Sequence, residues 1–285
     1  MNFIVKHSLR ETKLSSCVKG LLSLLFISYS LVALYLIGNS FLCAFKTKSD
    51  LINNTFGWPS QFVLENFRIV LLEDAFIRNL LNSLVLVSMG TFLLVAASST
   101  VSFGLSMYRF RGRGFLITYF SVGLMFPIQL GILPLFIILK NLSMTNSLIG
   151  LALVYAANMS FSVVVFSRFF NGFEFALLEA AKIDGANDFQ SFLYLVVPIM
   201  RPVIFTVALL NFIMIWNDFY LPLVFLTKST LRTLTLGIYS YTANFLSNWN
   251  KVFAGVAVAL LPIIIIYFFF SERIVEGLTS GSVKG

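Results

Sequence analysis

Apolar positions in this chain run in long unbroken blocks rather than in alternation. Blocks near residues 20–45, 80–107, 115–139, 147–170, 197–226 and 252–271 each reach the roughly 20 residues that cross a hydrocarbon core of about 30 Å. A barrel strand would alternate apolar and polar residues over about ten positions. Only a helix, whose backbone bonds close internally, carries a continuous apolar run through lipid. The pattern therefore predicts an all-α integral membrane protein with six spanning helices. Polar residues gather between the blocks. The stretch at 46–78 has turn signals at Asn53-Asn54 and Gly57-Trp58-Pro59, followed by mixed polarity, which predicts a segment lying along the outer membrane face. A second outer segment is expected at 227–251, where Tyr241 and Trp249 suit an interfacial belt.

Inside the blocks, Ser98, Ser99, Ser102, Gly104, Ser106, Gly123 and Gly131 are small enough to let helices approach closely. Pro127, Pro134, Pro222 and Pro262 each remove a backbone donor and are expected to kink their helices. Composition agrees with the pattern: 58% of the 285 residues are hydrophobic and 11% are charged, more apolar surface than a soluble core absorbs. Placing the N-terminus inside puts Lys6, Arg10, Lys13, Lys19, Arg109, Arg111, Arg113, Arg168, Lys182, Arg201, Arg273 and Lys284 in the cytoplasm, 12 of the 20 basic residues. The tight group at Arg109, Arg111 and Arg113 is the sharpest indicator, and an even number of spans returns the C-terminus to the same side. The first block exceeds the 7 to 15 residues or so of a signal-peptide core, so it is expected to remain as an anchor.

The net charge of +8 does not point to nucleic acid, because the basic residues sit at helix ends, where anionic lipid explains them. Cys17 and Cys43 would lie about 39 Å apart along one helix, too far to pair. The sole histidine, His7, has no metal-spaced partners, and no nucleophile and base arrangement stands out. No phosphate-binding Gly-x-x-x-x-Gly-Lys-Ser/Thr motif occurs either, so the chain has no means of its own to bind and split ATP. These absences argue against an enzyme. A secondary transporter would place ionisable groups near the bilayer midplane, and none of the six blocks shows a central acid.

The gap at 171–202 is a polar island whose shape follows from its residues. Phe175 to Lys182 favours helix, Gly185 suits a C-terminal stop, and Asn187 or Asp188 can cap a second helix starting near Phe189. Ala180 and Ala181 leave a low surface that a partner could fit over, while Glu179 and Asp184 offer charge for pairing across an interface. A solvated connector is the alternative. Further along, Asn217 and Asp218 stand in an apolar helix, about 28 to 30 Å beyond Pro198 and near the outer end of the span. Asp218 either lines a solute vestibule or gate, or caps a broken helix and bonds a neighbouring span.

The order Glu179-Ala180-Ala181-Lys182-Ile183-Asp184-Gly185, with Leu195 and Val197 before Pro198 and then Pro202, resembles the cytoplasmic EAA loop of ABC importer permeases. Asn82-Ser83, Tyr108-Arg109-Phe110-Arg111-Gly112-Arg113, Trp216-Asn217-Asp218-Phe219 and the tail Gly277 to Gly285 fall in the order of the maltose-type carbohydrate group, within the binding-protein-dependent transport inner-membrane component family. The resemblance covers nearly everything after residue 75. It departs just before the acid, where Phe173-Glu174-Phe175-Ala176-Leu177-Leu178 replaces a proline and several charges.

This resemblance implies a type I ABC importer permease fold and division into 1–75 (tail, first helix, external segment) and 76–285 (core, with coupling loop 171–202 and C-terminal tail 273–285). It implies a bacterial inner-membrane location with both termini cytoplasmic. The implied partners are a second permease, two ATPase subunits that hold the ATP and Mg, and an extracellular or periplasmic sugar-binding protein; this chain would hold no cofactor. Glu179, Ala180, Ala181, Asp184 and Gly185 would couple to the ATPase, and Asn217 and Asp218 would line a pathway or gate. In the flexible, polar tail, Gly277, Thr279, Gly281 and Lys284 would reach the ATPase subunits; a frayed end is the alternative reading. Another small solute in place of a sugar stays open.

Overall fold

A computed structural model of the chain describes residues 16–73, 76–242 and 249–279. Every regular element among them is helical. The first span is α1 (Ser16–Ala44), followed by the short helices α2 (Lys48–Asn53) and α3 (Glu65–Arg68), the latter running into a wide π-helical turn at Ile69–Glu73. The second span is α4 (Phe76–Met107). Next come α5 (Arg113–Gly123) and α6 (Ile132–Asn141), then α7 (Leu148–Ala157) and α8 (Ser160–Phe170). The polar island folds as α9 (Ala176–Ile183), α10 (Asp188–Gln190), a π-helical stretch at Ser191–Val196 and α11 (Val197–Ile199). The chain then forms α12 (Arg201–Asn217), α13 (Tyr220–Phe225), α14 (Leu234–Thr242) and α15 (Trp249–Thr279).

Three helices are continuous and apolar over a membrane-spanning length: Val18–Ala44, Phe76–Met107 and Trp249–Phe269. The other three expected spans are broken. Between α5 and α6 the axis turns by 101° where Pro127, held extended, replaces the helical bond it cannot donate. The fourth span bends by 47° at Asn158-Met159, with no proline to announce it. In the fifth, where Pro222 was expected to kink the helix, the segment Asp188–Ile199 lies at 79° to α12 across Met200, and α12 stops at Asn217, ahead of Pro222 in α13. Pro262 leaves α15 continuous. Close by, the Trp216 indole donates to the Ala259 carbonyl (3.3 Å), tying α12 to α15.

The bundle packs around α4. Its buried face, including Leu86, Val87 and Leu94, meets Leu151, Tyr155, Ile215 and Trp216 of the fourth and fifth spans. Small residues serve this packing selectively. The Ser102 hydroxyl crosses to the Val163 carbonyl (3.1 Å) and Gly123 abuts Ser160, whereas Gly104 faces open space and Gly131 meets only Leu135 of its own helix. At the outer end of α4, Asn82 donates to the Thr230 and Arg232 carbonyls (both 3.0 Å), and Ser83 accepts from the Leu234 amide (2.8 Å). The Asn-Ser pair thus fastens the loop that leads into α14. By contrast, α1 stands on the rim with most of its apolar side chains exposed, as lipid contact allows.

Candidate functional site

The segment between α8 and α12 lies at the end of the bundle where α4 finishes, opposite the loop that Asn82 and Ser83 hold. Ala176 to Lys182 are mostly strong helix formers, yet eight residues form too short a helix to persist alone in water. The tertiary anchor is Leu178, fully buried among Phe103, Phe166, Phe170, Phe173, Val196 and Met200. Phe173, which stands where the resembled family carries charge, is part of that apolar seat.

Gly185 ends α9. It adopts φ +87°, its amide donates to the Lys182 carbonyl (3.1 Å), and the Ala186 amide donates to the Ala181 carbonyl (3.0 Å). That pair of bonds is a Schellman termination, which wants glycine at the left-handed position. Asn187, rather than Asp188, caps the next helix. Its side chain accepts from the Gln190 amide (2.8 Å) while Gln190 accepts from the Asn187 amide (2.9 Å).

Between the two helices runs an open groove of about 540 Å³ lined by Leu177, Ala180, Ala181, Asp184, Gly185, Ser191 and Tyr194, among others. Leu177, Ala180, Ala181 and Asp184 recur at helical spacing, so one stripe of α9 forms the wall. Four of the five residues expected to couple therefore share one concave surface. Glu179 lies off that stripe, exposed, and makes no ion pair among the described residues. Ser191 is buried beside the groove and its hydroxyl has no hydrogen-bond partner among the described residues.

Residue order gave no hint of the contact that braces the groove. Lys182 Nζ is 3.0 Å from one Asp188 oxygen, and the Tyr108 hydroxyl donates to the other. The Tyr108 hydroxyl first, and the Lys182 ammonium second, hold the Asp188 carboxyl below the usual carboxylate range. The same bond raises the Tyr108 phenol. Through Asp188, at the start of α10, α9 is tied to the residue just after α4.

Asn217 and Asp218 sit at the break between α12 and α13. Asp218 accepts the Tyr155 hydroxyl of α7 (2.7 Å) on one oxygen and the Tyr220 amide (2.9 Å) on the other, while its carbonyl accepts the Thr235 hydroxyl (2.9 Å). It therefore both caps a broken helix and bonds a neighbouring span. Asn217 is exposed and donates back to Ile213 of its own helix (2.9 Å). The Asp218 carboxylate is held within the bundle: the Phe225 carbonyl at the end of α13 accepts the Asn146 amide (3.0 Å) just before α7 begins, and Tyr155 lies eight residues, about 12 Å, along α7 from Ser147. At the C-terminus, Gly277 and Thr279 continue α15 in place of the expected flexible tail, since one glycine lowers helix propensity by only about 1 kcal/mol. Gly281 and Lys284 lie outside the described residues.

The chain is a multi-pass helical bundle with three broken spans and a grooved two-helix loop at one end. Residues 75–279 match the family described as binding-protein-dependent transport system inner membrane component, and the chain belongs to that family. It is 30% identical over 281 residues, 97% of this chain and 100% of the relative, to the arabinooligosaccharides transport system permease protein AraQ of Bacillus subtilis (strain 168). It is 29% identical over 244 residues, 85% of this chain and 81% of the other, to the diacetylchitobiose uptake system permease protein NgcG of Streptomyces coelicolor (strain ATCC BAA-471 / A3(2) / M145). The same fold occurs in the crystal structure of a bacterial ABC transporter involved in import of the acidic polysaccharide alginate, with a TM-score of 0.80 at 22% identity over 90% of this chain and 97% of that one. Membership in this family is a further reason to set a secondary transporter aside.

Proposed function

We propose that this chain is one transmembrane subunit of an ATP-driven importer for a sugar or oligosaccharide, and that α9 is where the driving force enters. The observation that carries the coupling role is the groove beside α9: small residues on its wall, a glycine-terminated helix end, and a buried Ser191 hydroxyl without a partner. An element of an ATPase subunit seated there would find close approach at Ala180 and Ala181, a carboxylate at Asp184 and a second at Glu179. ATP and Mg would be held by two such subunits, with none in this chain. A second permease would complete the passage, and a solute-binding protein would deliver the sugar from outside a bacterial inner membrane, with both termini in the cytoplasm. The carbohydrate assignment rests on the oligosaccharide systems named for the relatives.

Closure of the ATPase pair would pull α9. Leu178 and the Asp188 brace would pass that displacement to α12 and α4 together, turning the bundle between inward-open and outward-open packings as rigid bodies. Asp218, at a helix break inside the bundle, would hold the α7, α12 and α13 junction that such a movement reshapes. The test is an Ala180→Cys chain assembled with its ATPase and exposed to a short bifunctional crosslinker. Capture of the ATPase subunit, with labelling from the cytoplasmic side alone, is expected. Labelling from outside, or no capture while the complex still co-purifies, overturns the docking site. Sugar-stimulated ATP hydrolysis across a carbohydrate panel tests the substrate class separately.

A further inference from the structure

The outer segment after α1 does more than connect two spans. A hydrocarbon core of about 30 Å takes roughly 20 helical residues. Counted from Lys19, that length ends at Asn39-Ser40, the first polar pair of the block. Tyr35 lies four residues before Asn39, about 6 Å inside that boundary. Helical side chains lean toward the N-terminus, so its hydroxyl is no shallower than its backbone. That hydroxyl donates to the carbonyl of Phe56 (3.0 Å). The segment therefore folds back along α1 to the depth of Tyr35.

Its irregular backbone is equipped for such a depth. Lys46 is fully buried, and its ammonium donates to the Asn54 carbonyl (2.6 Å) and the Thr55 carbonyl (3.0 Å). Asn54 Nδ2 donates to the Trp58 carbonyl (2.9 Å), and Asp50 accepts the Ser60 amide (2.8 Å) and hydroxyl (2.9 Å). Carbonyls 54, 55, 56 and 58 each have a side-chain donor. Water would satisfy them free of charge in an aqueous loop; at bilayer depth, non-helical backbone is tolerated only where protein satisfies it. The polar groups turn inward while Ile52 (77% exposed), Phe56 (66%) and Trp58 (74%) turn outward with no cover from the described residues.

We infer that residues 52–58 form a re-entrant wedge whose occupant is phospholipid: Ile52, Phe56 and Trp58 insert among the acyl chains beneath the headgroups of the leaflet at the C-terminal end of α1. This rests on α1 crossing the membrane and not on the choice of solute; with the N-terminus inside, the leaflet is the outer one. Continuity with the exposed apolar surface of α1 favours lipid over a protein partner.

The chain has three tryptophans, so a W216F/W249F chain leaves Trp58 as the only one. Reconstituted in phosphatidylcholine vesicles, it should lose roughly half its emission when the acyl chains are brominated near the headgroup, and should be indifferent to aqueous iodide. Quenching by iodide without quenching by brominated lipid overturns the inference, as does shielding from iodide that arises only on adding the solute-binding protein or on dimerisation. Trp216 is buried and stacked on Phe212 whereas Trp249 is exposed, so the second measurement compares W249F with W58F/W249F, both of which keep the native Trp216. The added W58F change should remove the lipid-quenchable emission of the W249F chain, and an unchanged lipid-quenched signal contradicts the wedge.

Discussion

Gly185 offers the sharpest perturbation of the coupling loop, because its surroundings separate backbone strain from steric filling. It holds φ +87°, and a Cβ built there would meet nothing within 4 Å. A side chain at this position therefore costs only what the left-handed conformation costs an L-residue, about 1–2 kcal/mol. Asparagine visits that region readily and should cost less than alanine, and a β-branched valine should cost more. α9 has eight residues and one fully buried anchor, Leu178, so strain at its end is relieved by unwinding the last turn, which carries Ala181 and Asp184. If the whole strain is expressed as lost population of the docking shape, Gly185→Ala weakens ATPase association by roughly 5- to 30-fold, since about 1.4 kcal/mol is tenfold. Titrating the purified ATPase subunit onto the full chain in nanodiscs, with uptake measured in parallel, should give the order Gly, Asn, Ala, Val from tightest to weakest. Equal binding by the Gly and Val chains would refute the docking role of this turn. Asn binding more weakly than Ala would show that side-chain bulk, not backbone conformation, governs the site.

Three further outcomes are expected. Asp188→Asn and Tyr108→Phe should each lower ATPase-driven uptake more than ATPase binding, and the double variant should be no worse than Asp188→Asn, because both remove one brace; additive losses on a double-mutant cycle count against it. The Asp188 carboxyl is held below its ordinary value near 4, so the brace is complete above that range and is lost as pH falls through the depressed value; coupling should be flat from about pH 5 to 8, and a loss within that window attributable to Asp188 contradicts the assignment. Tyr155→Phe leaves an oxygen of Asp218 without its donor inside the bundle and should destabilise the chain by about 1–3 kcal/mol, read as a lower midpoint of thermal unfolding in detergent, whereas an unchanged midpoint means solvent already reaches that carboxylate.

Much of the coupling loop was legible in residue order because its signals are local. Gly185 as a left-handed stop and Asn187 as a cap depend on hydrogen bonds reaching no more than five residues, so their spacing announces them. The Asp188 brace reaches from Lys182, close in sequence, to Tyr108, eighty residues away, and only folding reveals that Tyr108 is there. The exposed outline of α9 was likewise readable, but not the buried position of Leu178, which looks like its neighbour Leu177 until the aromatic cluster of α4, α8 and the π-helical stretch closes over it.

The sequence by itself determined that the chain is a helical membrane protein, roughly where it enters and leaves the apolar phase, and which polar loop stands out. Those properties follow from the transfer free energy of residues and backbone groups, which sum along the chain regardless of partners. Tertiary structure alone decided that the fourth run bends where no proline stands, that Asp218 lies within the bundle bonded to Tyr155, and that the loop after α1 turns back beside Tyr35. The last two depend on a donor or acceptor supplied from a distant part of the chain, and hydropathy carries no record of which distant group will arrive.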